Sequence, residues 1–327
     1  MNKRERLEKA IAGEKTDRIP VALWRHFPGD DQHPENLAYA VVDYQKRWDW
    51  DFVKVTPASG YCLIDYGVED KWEGNIEGTR TYTKRVVQNP EDWANLQKLD
   101  PKTGALGAQL EALRLIREGV GGDIPVIHTI FNPISQTKNL AGADLMLEHL
   151  KNHPDALKAG LEIITENMIR YLDVLRESPI DGIFYAIQHA STDILTETQY
   201  REFGAAYDRR ILEAMPDKWW FNMLHLHGTS PMFDFVSDYP VQAINWHDRE
   251  TMPGLAEGKQ KFTGIVSGGL GRWDVLRGTP DSVRAQAEDA IQQTEGTRFM
   301  LSTGCVQFIP TPVSNIRAVR EVVEKAV

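Results

Sequence analysis

Short apolar runs rich in Val, Ile and Phe recur eight times along this chain, separated by longer amphipathic stretches, and that alternation restricts the fold more than any other feature. The runs are IPVALW (residues 19–24), DFVKV (51–55), IPVIHTI (124–130), GIFYAI (182–187), WFNMLHL (220–226), AINW (243–246), FTGIV (262–266) and RFMLST (298–303). Runs of this length match strands buried on both faces, which need helices packed outside them. Helical periodicity appears between several of them, as in AGLEIITENMIRYLDVLRE, TETQYREFGAAYDRRILEAM and TPDSVRAQAEDAIQQT. Repeated βα units of this number, in 327 residues, predict an α/β fold of the (β/α)8 TIM-barrel type over residues 1–327 as a single domain. One stretch departs from the repeat: YGVEDKWEGNIEGTRTYTKRVV reads as an inserted β-excursion after the second strand, and NPEDWANLQKLDP as the turn into a further helix. No internal repeat, low-complexity tract or linker marks a second domain.

Composition excludes some function classes. A net charge of -10 argues against nucleic acid or an anionic membrane as the main partner. No stretch of about 20 apolar residues occurs, and the charged, helical N-terminal sequence lacks a signal-peptide core. The two cysteines, Cys62 and Cys305, are too few for a disulfide framework. A cytoplasmic protein acting on a small molecule is the expectation.

In a barrel of this kind, loops following the C-terminal ends of the strands build the active site. Polar residues fall at those positions repeatedly. Arg25 and His26 follow the first run, His128 and Asn132 lie in and after the third, and Gln188 and His189 follow the fourth. Trp246, His247 and Asp248 end the sixth, and Gly268 and Gly269 follow the seventh. His128 reads as a core histidine. The fifth run ends in His225 and His227, and Cys305 follows the eighth. Residues i and i+2 of a strand face the same way, so both imidazoles can serve one site. With Cys305 they make a His2Cys set with an open fourth position, the pattern of a catalytic zinc. The ligand types fit cobalt, nickel or iron as well. The histidine pair alone also fits two residues hydrogen-bonded inside a barrel.

The segments HLHG, AINWHD, FTGIVSGGLGRWDVLRGTPDSV and STGCVQFIPTPVSNIRAV resemble the second half of the uroporphyrinogen decarboxylase superfamily, which includes the methylcorrinoid:coenzyme M methyltransferases. DRIPVALWRHFPGD, FNPISQTKNLAG and FYAIQHASTDILTETQYREF extend the resemblance toward the N-terminus. It implies the barrel independently of the strand count. The decarboxylases carry two arginines in the first loop and an aspartate after the second strand; here Arg25 is kept, Gly29 stands at the second arginine, and Thr56 and Pro57 stand near the aspartate. Lys138 lies nearest the family's third-loop tyrosine. The methyltransferase zinc motif, HxC and a cysteine about 80 residues later, falls on His225, His227 and Cys305, with His227 in place of the first cysteine.

The resemblance thus implies a zinc-dependent methyltransferase moving a methyl group between a corrinoid and a thiol-type or other small acceptor. Zinc would be held by His225, His227 and Cys305. His247, Asp248, Gln188 and His189 would serve catalysis, and Arg25, Asn132 and Trp246 would bind substrate. The corrinoid would arrive on a separate corrinoid protein, because the chain has no DxHxxG-type cobalamin loop. Two other expectations stand beside this one. The first is a metal-free decarboxylase or other lyase of a smaller carboxylated substrate, with Arg25 holding the anion. The second is a non-catalytic barrel retaining a corrinoid or porphyrin pocket.

Overall fold

A computed structural model describes residues 1–324. Seven parallel strands form one curved sheet: β1 (Val53–Val55), β4 (Val126–Phe131), β5 (Gly182–Ile187), β6 (Met223–Leu226), β7 (Ala243–Trp246), β8 (Ile265–Leu270) and β9 (Phe299–Thr303), hydrogen-bonded in that order. The two remaining strands, β2 (Glu69–Lys71) and β3 (Thr81–Lys84), pair antiparallel in a separate hairpin. That hairpin is the inserted excursion expected after the second strand. Helices such as Gly104–Val120, Pro154–Leu175 and Pro280–Thr294 connect successive strands. The barrel strands are buried along almost their whole length.

The first apolar run does not become a full strand. It contributes one parallel bridge, Val21 to Leu301, that joins β9 to the edge of β1 and closes the barrel. On the β9 side, Leu301 N donates to the Pro20 carbonyl at 2.9 Å and Ala22 N to the Leu301 carbonyl at 3.2 Å. On the other side Asp51 N donates to the Val21 carbonyl at 3.0 Å. Val21 N finds no strand carbonyl and instead donates to Asp51 Oδ2 at 2.7 Å. The Val21 N–H faces the β1 side and must be paired, so a side chain completes the closure. Asp51 is fully buried and also receives Arg6 at 2.7 Å and Arg18 at 2.7 Å.

Two further details differ from the sequence expectation. Gly268 and Gly269 lie within β8, not after it. At Gly268 a Cβ would collide with the Asp248 carboxylate, and at Gly269, φ +98°, it would collide with Ala290, so the two glycines permit close packing on both faces of the sheet. The helical segment from Glu197 to Glu213 contains a π-turn at Arg201–Ala205. Just beyond it, Asp208 is buried and accepts hydrogen bonds from Asn132, Tyr185, Tyr200 and Tyr239.

Candidate metal centre

Four side chains converge at the C-terminal end of the barrel. His225 is inside β6, His227 just beyond its end, His247 just beyond β7, and Cys305 two residues past β9. One ligand atom from each lies within 4.8 Å of every other. His225 Nε2 and His227 Nδ1 are 3.4 Å apart, and His247 Nε2 is 3.3 Å from the same His227 nitrogen. Cys305 Sγ is 3.5 Å from His225 Nε2 and 3.6 Å from His227 Nδ1. A tetrahedral zinc with bonds of about 2.0–2.1 Å to nitrogen and about 2.3 Å to sulfur has N–N edges of about 3.4 Å and N–S edges of about 3.6 Å. The donor types suit a divalent metal, and these four edges match its spacing.

The surrounding residues aim these donors. Asn245 Nδ2 donates to the carbonyls of Ser267 at 2.9 Å and Thr303 at 3.1 Å. Carbonyls only accept, so the Asn245 amide oxygen must face His225, and His225 Nδ1–H donates to it at 2.7 Å. His225 Nε2 is left as a lone pair pointing at the cluster. The Nδ1 of His247 lies 3.5 Å from Glu250, which is itself near Arg272 at 3.6 Å. Carboxylate or amide partners of this kind fix ring orientation and tautomer in metal-binding histidines. Burial by itself pushes the Cys305 thiol up, but the pull of His225, joined by His227 and His247, holds it well below the ordinary thiol range. A thiolate is the form in which the cysteine would ligate metal.

Two connected cavities open from the cluster. An inner pocket of about 70 Å³ is lined by His225, His227 and Cys305 together with Trp24, Lys54 and Phe184. An outer cleft of about 730 Å³ runs from His227 past His189 to Lys138 and Arg85. Gln188 lines both. His189 hydrogen-bonds Ser135 at 3.4 Å, and burial keeps its imidazole neutral, down to about 3.

The structure places the residues read from sequence in three groups. His225, His227 and Cys305 meet, and His247, expected as a catalytic group, stands beside them as a fourth potential donor where an open position was expected. Gln188 and His189 face the cavities. Arg25, Asn132, Trp246 and Asp248 do not line either one. Arg25 donates to the backbone of His26 at 3.1 Å and lies against Phe27. Asn132 is fully buried beneath the site, bonded to Asp208 at 3.1 Å and to Ser135. Trp246 is excluded by strand alternation: Asn245 and His247 differ from it by one residue, so its ring points to the helix layer, packs on Phe233, and donates to the Pro253 carbonyl at 2.7 Å. Asp248, in the turn past β7, is buried against Gly268 and accepts from Gly269 N at 3.0 Å. Burial pushes its carboxyl up to about 7.

Three residues at the site went unread in the sequence: Asn245, Glu250 and Lys54. A signal existed for Asn245, a polar residue inside an apolar strand and two residues before His247, hence on the same face. Its partner, His225, lies directly across the sheet in register.

A family model described as uroporphyrinogen decarboxylase (URO-D) matches residues 26–326. A methylcobamide:CoM methyltransferase from Methanosarcina mazei is 24% identical, over 97% of this chain and 96% of its own. A second enzyme of that name from Methanosarcina barkeri is 24% identical over 96% of this chain and 95% of its own. A uroporphyrinogen decarboxylase from Prochlorococcus marinus is 22% identical over 95% and 93%. Among solved structures, a methyltransferase from Methanosarcina mazei superposes with a TM-score of 0.86 at 20% identity, covering 99% of both chains. A B12-independent methionine synthase from Shewanella sp. W3-18-1 gives 0.59 at 13% identity, over 94% of this chain and 93% of its own. These likenesses establish the barrel fold.

Proposed function

The chain belongs to the uroporphyrinogen decarboxylase family, and from the donor cluster at its barrel mouth we propose that it is a zinc-dependent methyltransferase that moves a methyl group between a corrinoid and a thiol-type acceptor. The observation that carries this reading is the convergence of His225, His227, His247 and Cys305, with donor atoms within 4.8 Å of one another, beside an inner pocket that the first two and Cys305 line. It agrees with relatives whose names couple methylcobamide to CoM.

A zinc ion held there would act as a Lewis acid that keeps an acceptor thiol deprotonated near neutral pH. The protein's own part is to supply and orient the donors. Asn245 fixes the His225 tautomer, and Cys305 brings the one anionic ligand. His247 is the donor whose position an acceptor sulfur would take. It is carried on the loop past β7, and its outer nitrogen is held only by the 3.5 Å approach of Glu250, against the 2.7 Å bond that anchors His225.

The inner pocket, at about 70 Å³, has room for a few acceptor atoms and none for a macrocycle. The outer cleft and barrel rim would receive the corrinoid on its carrier protein. Among the described residues, the large exposed apolar side chains other than Met1 and Tyr39 all stand on segments that follow strand ends at this rim, as Ile194, Met252 and Trp273 do. Exposed apolar side chains on such loops suit a protein partner. The decarboxylase alternative is less well supported, because Arg25 is occupied with backbone and aromatic contacts away from the pocket.

The test is metal analysis of the purified protein followed by transfer from methylcobalamin to a small thiol. About one zinc per chain and zinc-dependent thiol methylation would support the reading. A metal-free, fully folded protein that stays inactive after zinc is supplied would sink it.

A further inference from the structure

Lys54 sits in the wall of the inner pocket, inside β1, with 8% of its surface exposed. Its ammonium donates to Thr56 Oγ1 at 3.1 Å and lies 4.4 Å from the centre of the Phe184 ring. The same ring stacks on His225 at 5.3 Å. Among the described residues no carboxylate pairs with this lysine. Glu77, the acidic side chain of the pocket wall, is engaged by Arg272 at 2.9 Å. A lysine this deeply buried is rare without a paired anion, because desolvating the ammonium is costly. A second unsatisfied donor stands in the same wall: Trp24 is 3% exposed, and its indole N–H has no acceptor.

Charge balance extends the argument. Three neutral imidazoles and one thiolate leave a divalent metal with one positive charge, and Lys54, when protonated, adds another within the same small pocket. Burial lowers Lys54 to about 7, opposed only by the Cys305 thiolate. The two positive groups are offset if the acceptor brings two negative ones, a sulfur at the metal and a second anionic group a few bonds away.

We propose that Lys54, assisted by the Trp24 indole N–H, is the residue that selects the acceptor, by binding a carboxylate-like or sulfonate-like group carried on a short thiol. The inference rests on the reading of the cluster as a zinc site for a thiol acceptor. It places acceptor recognition on β1 and not on Arg25.

The experiment measures binding by calorimetry to the zinc-loaded protein, for wild type, Lys54→Met and Lys54→Arg, with three probes: 3-mercaptopropionate, propionate and 2-mercaptoethanol. Zinc content and thermal unfolding confirm that each variant is folded and loaded. A charge-assisted hydrogen bond in a buried site predicts that wild type prefers 3-mercaptopropionate over 2-mercaptoethanol on the order of 10- to 100-fold. Lys54→Met should erase that preference while leaving 2-mercaptoethanol binding within about twofold, and Lys54→Arg should keep part of it. A preference that survives Lys54→Met, or that is absent from wild type, overturns the assignment. Lys54-dependent binding of both carboxylates, with no added affinity from the sulfur, would uphold the anion site and instead refute the thiol reading.

Discussion

His225 Nδ1 donates to Asn245 Oδ1 at 2.7 Å between residues directly paired across β6 and β7. Because two backbone carbonyls hold the Asn245 amide nitrogen, this bond admits one tautomer of His225, and its Nε2 can only be an acceptor toward the cluster. The fold thus decides the tautomer of this candidate metal donor.

Asn245→Leu, close in volume, should therefore weaken metal affinity by about 10- to 100-fold, the usual effect of removing the partner of a ligating histidine. Competition with a zinc-binding dye measures it. Unchanged affinity would mean that Asn245 only fills space.

The four donors should not be equal. His225→Ala, His227→Ala and Cys305→Ala are expected to emerge from purification with little zinc. His247→Ala is expected to retain most of its metal at reduced affinity, because a solvent or thiol ligand can occupy the vacated position. Elemental analysis of the four variants checks the pattern. Full zinc in Cys305→Ala would remove the thiolate from the ligand set.

Acid should destabilise the barrel through histidines outside the cluster. His128 is fully buried in β4, hydrogen-bonded to Tyr171 at 3.1 Å, and burial lowers it to about 3 from an ordinary 6.5. Between those values the unfolded chain binds a proton that the folded chain does not. The stability present above pH 6.5 is then lost as the pH falls toward 3, by about 1.4 kcal/mol per unit at most. Urea unfolding of His128→Gln should show a shallower loss between pH 6.5 and 4.5 than wild type, by about 2 kcal/mol. Parallel pH curves for the two proteins would contradict this.

The barrel seam should be fragile at one carboxylate. Asp51 joins Arg6, Arg18 and the backbone of Val21 where a ladder bond is missing. Asp51→Ala leaves two largely buried guanidinium groups without that partner, and a loss of about 3–5 kcal/mol is expected in chemical denaturation. Asp51→Asn keeps the shape without the charge and should fall between the two. A change under about 1 kcal/mol in Asp51→Ala would show that the closure does not depend on it.

What the sequence determined is local. Apolar run length and the amphipathic stretches between runs identified the β/α repeat and the inserted hairpin, and the pleat of one strand gave the shared direction of His225 and His227, since it settles which side each residue faces. The position of Cys305 after the last strand, with the barrel rule for loops, put it at the same end. Tertiary structure alone decided the rest. His247 came to stand beside His227 as a candidate fourth donor, with Asn245 behind His225, because parallel register sets β7 beside β6. Trp246, one residue out of phase with Asn245, turned outward by the alternation of its own strand. Lys54, hidden in an apolar run, became a pocket cation only when β1 closed toward β6 across the barrel interior. Alternation is written in adjacent residues, but which distant strand ends converge, and at what height, is set by closure and register across the whole sheet.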